Sequence, residues 1–213
     1  MTGDKKTHLI KYTIYFVCTA LLLTISFSTP DYVINVMAKE GVKIENNFGA
    51  HTLKLVDARS LRTYDETFIQ SGAYAAVFHL IIPTRTEQKL GYSEKISKGI
   101  LLWVQDRVNL LFILLFLLVH RFHLILMLAP SASFILFASM MTGVYIRKIK
   151  QGNFAFASPT VHRYAIGILT VFLTVLPFVL LLPVAISPSF YSIAFICISI
   201  MIQAIISNVA KRI

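Results

Sequence analysis

Between Tyr164 and Ile186 the chain reads YAIGILTVFLTVLPFVLLLPVAI, a run with no acid, lysine, arginine or histidine. A helix of that length, rising 1.5 Å per residue, crosses the roughly 30 Å hydrocarbon core of a bilayer. Comparable runs occupy Tyr12–Thr29, 124–146 (LILMLAPSASFILFASMMTGVYI) and 190–209. Such stretches limit the chain severely, because a backbone in hydrocarbon must satisfy its own hydrogen bonds, and a helix does so within one segment. Composition agrees: 56% of residues are hydrophobic and only 14% charged, with a mean hydropathy of +0.72. Soluble domains carry about 45–50% apolar and about 25% charged residues. The sequence therefore predicts an all-α fold, a polytopic membrane helical bundle.

Orientation follows from where the positive charge sits. The net charge of +10 would suggest nucleic acid in a soluble protein, but here the placement of the charge matters more than its sum. The stretch RKIKQGNFAFASPTVHR, residues 147–163, holds Arg147, Lys148, Lys150 and Arg163 and no acid. Lys5, Lys6 and Lys11 precede the first apolar run, Lys211-Arg212 follow the last, and the Ser187-Pro188-Ser189 turn has no basic residue. Lysine and arginine accumulate in short cytoplasmic loops. Four crossings, at 12–29, 124–146, 164–186 and 190–209, put all three basic segments and both termini in the cytoplasm and residues 30–98 outside. The segment 99–119, GILLWVQDRVNLLFILLFLLV, complicates this count. Gln105, Asp106 and Arg107 lie in its first third, so it is expected as an interfacial or re-entrant helix leading into 124–146. If it crosses, there are five spans and the termini are on opposite sides.

Residues 30–98 differ in kind. Eight of the ten acids lie there with nine basic residues, a local balance of +1. Val33, Ile34 and Met37 fall at helical spacing, as do Leu61, Tyr64, Phe68, Ile69, Ala76, Val77 and Leu80. Pro83 should end the second pattern, and ENNFGAH between the two reads as a loop. The expected organisation is an N-terminal segment 1–29, a small helical extramembrane region 30–98 and a membrane domain 99–213. Residues 1–29 read as an uncleaved anchor. The competing reading is a signal peptide cleaved near Ser26-Phe27-Ser28.

Few residues invite chemistry. Asp106-Arg107 is the only acid–base pair in the apolar half, and intramembrane ionisable groups are functional candidates by default. Their plainer role is a solvated or paired site at headgroup level. His120, Arg121 and His123 form a polar knot whose histidines could share a metal. No third ligand accompanies them and no acid occurs after Asp106, so an interfacial or headgroup contact is expected and a metal is not. His162 and Arg163 open an apolar run, with Ser158-Pro159-Thr160 as a helix start. His162 has no visible nucleophile or orienting carboxylate. Arg121, Arg147, Lys148, Lys150, His162 and Arg163 are the candidate contacts for lipid or a partner. Pro130, Pro177 and Pro183 interrupt apolar runs as packing kinks, and Cys18 and Cys197 read as buried small hydrophobes. Walker A, HExxH, GxSxG and dinucleotide-binding motifs are absent, so no enzyme and no cofactor are expected.

The order of features from 120 onward resembles a family of small integral membrane proteins encoded on integrating conjugative elements and conjugative plasmids. Arg121 and Pro130 match its first elements, and Met141-Thr142-Gly143 stands where the family has Asp-Gly, with Thr142 in place of the acid. Arg147-Lys148-Ile149-Lys150, the polar stretch Ala157 to Arg163, Pro183 with Ser187-Pro188, and Lys211-Arg212 complete the match. The resemblance implies a bacterial inner-membrane component associated with conjugative type IV secretion. It implies other membrane proteins of that apparatus as partners, the coupling ATPase among them, and no direct nucleic-acid binding. The role expected is accessory or structural; the alternative is a small transporter or channel, which a water-filled cavity containing Asp106 would favour.

Overall fold

A computed structural model describes residues 15, 18, 19, 22, 24–81, 94–153 and 158–209. Every regular element among them is helical, and the chain divides into two compact units. The first comprises Met1–His123 with Leu181–Ala185, the second Leu124–Leu180 with Ile186–Ile213.

In the first unit, helix α1 spans Pro30–Phe48. Its start is written in sequence: the Thr29 hydroxyl accepts from the Tyr32 amide, Pro30 sits in the first turn, and Asp31 faces the positive helix end. Val33, Val36, Glu40 and Ile44 are buried, a single stripe that includes one acid. The stretch ENNFGAH, expected as a loop, is mostly helical. Only Gly49 interrupts it, at a φ of 84° that residues with a Cβ disfavour, and helix α2, Ala50–Tyr64, starts at the next residue. A π-helical turn at Asp65–Ile69 and a second positive-φ glycine, Gly72, lead into helix α3, Ala73–Ile81. Pro83 lies outside the described residues.

Helix α4 runs unbroken from Glu94 to Gly152, 59 residues or about 88 Å. This corrects the expectation of a separate interfacial or re-entrant helix at 99–119. None of His120, Arg121, Phe122 and His123 breaks a helix, and the three polar ones find partners in the first unit. The apolar run also finds cover. Leu110, Leu114 and Leu117, one face of α4, close a core with Val33 of α1, and Ile25, Met37 and Ile113 pack around it.

In the second unit, α4 from Leu124 onward is joined by α5, Pro159–Leu181, and α6, Pro188–Ser207. Pro130 lies inside α4 and Pro177 inside α5. Pro183 does not lie inside a helix as expected: α5 stops at Leu181, and residues 182–187 are irregular. Ser187 then occupies the N-cap of α6 with Pro188 in its first turn. At Gly143 a Cβ would meet the Ile206 Cβ at 3.0 Å and the Gln203 carbonyl at 3.1 Å, so α4 and α6 approach so closely there that a side chain would force them to shift by a few tenths of an ångström.

Three helical stretches among the described residues are long and apolar enough to cross a membrane, Leu102–Gly152, Pro159–Leu181 and Pro188–Ser207, against the four or five expected. The runs at 99–119 and 124–146 have become one helix, and Tyr12–Thr29 lies partly outside the described residues. The three differ sharply in cover. The most apolar window is 39% buried in the first, 6% in the second and 17% in the third.

Candidate functional site

The most heavily invested side chain is Arg121. It is fully buried, and so is Glu40 opposite it at 1% exposure. The Arg121 Nε lies 3.2 Å from both Glu40 carboxylate oxygens, and Nη2 donates to Oε2 at 3.0 Å. The same guanidinium reaches two main-chain carbonyls beyond α5: Nη1 donates to Leu182 O at 2.7 Å and Nη2 to Val184 O at 2.6 Å. Lys43, less than one turn past Glu40, donates through Nζ to Ala185 O at 2.7 Å. Together the two cations clasp the segment 182–185 to α1 and α4 within the first unit. Two buried ions cost several kcal/mol each in lost hydration, and only close pairing with full hydrogen bonding offsets that. The planar guanidinium fork meets a carboxylate and two carbonyls at once, which a lysine ammonium could not do in this geometry.

The rest of the polar knot is also turned inward. His123 Nε2 lies 2.8 Å from the Thr63 hydroxyl of α2. His120 is buried, with Nδ1 at 3.3 Å from Asp57 Oδ1, an ion-pair distance without hydrogen-bond alignment. No group of three metal-binding side chains occurs among the described residues. Arg121 was anticipated as a lipid or partner contact, and its place in the structure is internal.

Asp106 and Arg107, neighbours in sequence, diverge. The Arg107 Nη1 donates to the carbonyls of Ile25 at 2.7 Å and Ser28 at 2.6 Å, where the preceding helical segment ends. Its guanidinium carbon stands 5.3 Å from the Trp103 ring centroid. Asp106 instead lines an open cleft of about 810 Å³ in the first unit, together with Asp31, Tyr64, Tyr74, Asn109 and Phe112. The Tyr74 ring meets Phe112 edge-on at 4.6 Å, and its hydroxyl makes a long 3.5 Å bond to Asn109 Oδ1.

In the second unit, Lys150 and His162 meet at the end of α6. Lys150 Nζ donates to Asn208 Oδ1 at 2.9 Å, and His162 Nδ1 lies 3.0 Å from Ile205 O. Carbonyls at a helix C-terminus carry partial negative charge, so a cation is stabilised there. Asn208 also caps that end, donating to Ala204 O at 2.9 Å. Lys148 and Arg163 are exposed and Arg147 is half-buried. Ser158 caps α5 as its sequence suggests, its hydroxyl accepting from the Val161 amide at 3.4 Å. Ala157 and Lys211-Arg212 lie outside the described residues.

Glu40, Lys43 and the carbonyls of Leu182, Val184 and Ala185 were not singled out from the sequence, although Pro183 among them was. One signal was available. Glu40 falls in register with Val33, Val36 and Ile44, an acid on an otherwise apolar stripe, and such an acid needs a buried partner.

Among the described residues every regular element is helical, three helical stretches are of membrane-crossing length, and one unit is closed by an internal ion pair. A family model described as "IncC plasmid conjugative DNA transfer protein DtrJ-like" matches residues 27–212, and the chain belongs to that family of conjugative-element proteins. The match runs through both units and reaches well N-terminal of the 120–213 region that carried the resemblance. It ties the chain to plasmid conjugation. No curated protein and no solved structure matches it.

Proposed function

We propose that the protein is an accessory, structural component of a conjugative DNA-transfer apparatus, seated in the bacterial inner membrane and acting through protein contacts rather than catalysis. The observation that carries this reading is the uneven cover of its apolar helices. Most of α5 is bare, as lipid-facing surface must be, and α6 is only thinly covered, whereas the first part of α4 packs against α1–α3. A helical stretch of 51 residues is about 76 Å long, more than twice a bilayer. Residues 124–146 suffice to cross, so 102–123 belong to an extramembrane unit. With the N-terminal run as an anchor, four crossings result, both termini are cytoplasmic, and residues 30–123 lie on the outer side. The clasp supports this arrangement. Arg121 precedes the entry of α4 by about one turn, and 182–185 follow the end of α5, so both belong at the same membrane surface. The exposed cations Lys148 and Arg163 then meet the cytoplasmic leaflet or an acidic partner surface. Partners of this kind include other membrane proteins of a type IV secretion apparatus and its coupling ATPase.

The cleft containing Asp106 favours a second reading, a transporter or channel. It belongs to the first unit, outside the stretch that would cross the bilayer, and so suits binding better than passage. Reporter fusions decide the topology: Gly49 is expected to report periplasmic, and Gly152 and Ile213 cytoplasmic. Gly49 and Gly152 on the same side would defeat the four-span arrangement. Purification in mild detergent should bring down apparatus proteins. Recovery of the chain alone, with solute flux across reconstituted vesicles, would favour transport.

A further inference from the structure

We propose that the cleft of the first unit is a binding site for an organic ammonium ion carried on an apolar body. The argument is one of shape and charge, and it goes beyond the structural role proposed above without depending on it. The cleft, at about 810 Å³, has the size of small-ligand sites, which are mostly apolar with a few convergent polar groups. Tyr64, Tyr74, Phe112 and Phe116 supply ring surface, held by edge-on contacts of Tyr64 with Phe116 at 5.4 Å and Tyr74 with Phe112 at 4.6 Å. Aromatic faces carry negative charge density and attract alkylammonium groups. Asp31 enters the cleft from the start of α1 and Asp106 from α4, while no lining residue among those described is basic. In a chain of net charge +10, an aromatic cleft with two acids and no base selects a cation. The neighbouring cation, Arg107, is directed to the Ile25 and Ser28 carbonyls, so Asp106 is not committed to it. Asn109, beside Asp106 and bonded to the Tyr74 hydroxyl, offers a neutral hydrogen-bonding group for the ligand's N–H.

The ammonium group could belong to a free amine or to the headgroup of phosphatidylethanolamine, and one experiment separates the two. The full chain, in nanodiscs of phosphatidylglycerol, is titrated with 4-phenylbutylamine and with its neutral analogue 4-phenylbutanol. The fluorescence of Trp103, the sole tryptophan and one helical turn before Asp106, reports binding. Saturable binding of the amine at least tenfold tighter than the alcohol is expected. Asp106→Asn should remove most of that preference, Asp106→Glu should restore much of it, and Tyr74→Leu should weaken both probes. Circular dichroism melting confirms that each variant is folded. Repeating the titration in discs containing phosphatidylethanolamine gives weaker apparent amine binding if the lipid headgroup is the occupant, and unchanged binding if a free amine is. Equal affinity for amine and alcohol, no saturable binding, or an Asp106→Asn variant that still prefers the amine would overturn the proposal.

Discussion

Residues 102–123 of α4 and residues 159–181 of α5 are mainly apolar helical stretches of similar length, yet the first buries a whole face and the second only Ala165. The difference lies in what surrounds each. Against the first lie α1 and α2, which are polar on one side and contribute Val33, Met37, Glu40 and Val56 from the other. Among the described residues α5 buries only Ala165, and its Val171 and Leu173 remain more than half exposed. Apolar surface of that extent is not left to water, so on the proposed account lipid covers it. An uncharged run thus states that cover is required without saying whether protein or lipid supplies it.

The clasp is where this contrast is expected to break most easily. Arg121→Ala or Glu40→Ala leaves a buried charge unpaired, with an expected loss of about 3–5 kcal/mol. Thermal unfolding in detergent should register it as failure of the first unit. The double variant Glu40→Leu with Arg121→Met should recover only part of the loss. It removes both charges but leaves the Leu182 and Val184 carbonyls without their donor, at about 1–3 kcal/mol for each. Full recovery would mean that the segment 182–185 gains nothing from Arg121.

Next in size is a matched pair of core substitutions. Leu117 is 1% exposed, and Leu117→Ala should cost about 2–5 kcal/mol through lost burial and the cavity left behind. Leu173 is 53% exposed, and Leu173→Ala should stay within about 0.5 kcal/mol. Equal losses would erase the distinction between the two regions. A smaller effect is expected for Lys43→Met, which removes a single charged hydrogen bond to Ala185 O, about 1.5 kcal/mol. Its readout is faster proteolysis near residue 185 at an otherwise unchanged melting profile.

How much of this was legible in the sequence depended on range. Helices α5 and α6 were visible as runs, because apolarity and length are local properties. Their ends moved by a few residues, since Pro159 and Pro188 start helices and 182–185 serve the clasp. The start of α1 was less apparent, although Thr29-Pro30-Asp31 is a strong N-terminal signal. The 99–119 run was misjudged for a physical reason. Gln105, Asp106 and Arg107 suggested a segment lying at the interface, whereas Arg107 caps carbonyls at Ile25 and Ser28 and Asp106 opens onto a cleft. Arg121 was singled out, but its partner is 81 residues away and its carbonyl acceptors are 61 and 63 residues away. No local pattern announces a contact of that span. Glu40 on its apolar stripe was the one residue that hinted at it.

The central claim is that residues 102–123 form the core of a water-facing unit while α5 faces lipid. Cysteine accessibility tests it directly. With Cys18 and Cys197 replaced by serine, single cysteines at Leu61, Leu111 and Leu173 are treated with a membrane-impermeant maleimide on intact spheroplasts. All three positions are exposed on the protein itself, at 57%, 37% and 53%. Labelling of positions 61 and 111 at comparable rates, with position 173 protected until the membrane is dissolved, is the expected result. Protection of position 111 alongside 173 would place the first part of α4 in the bilayer and contradict the account.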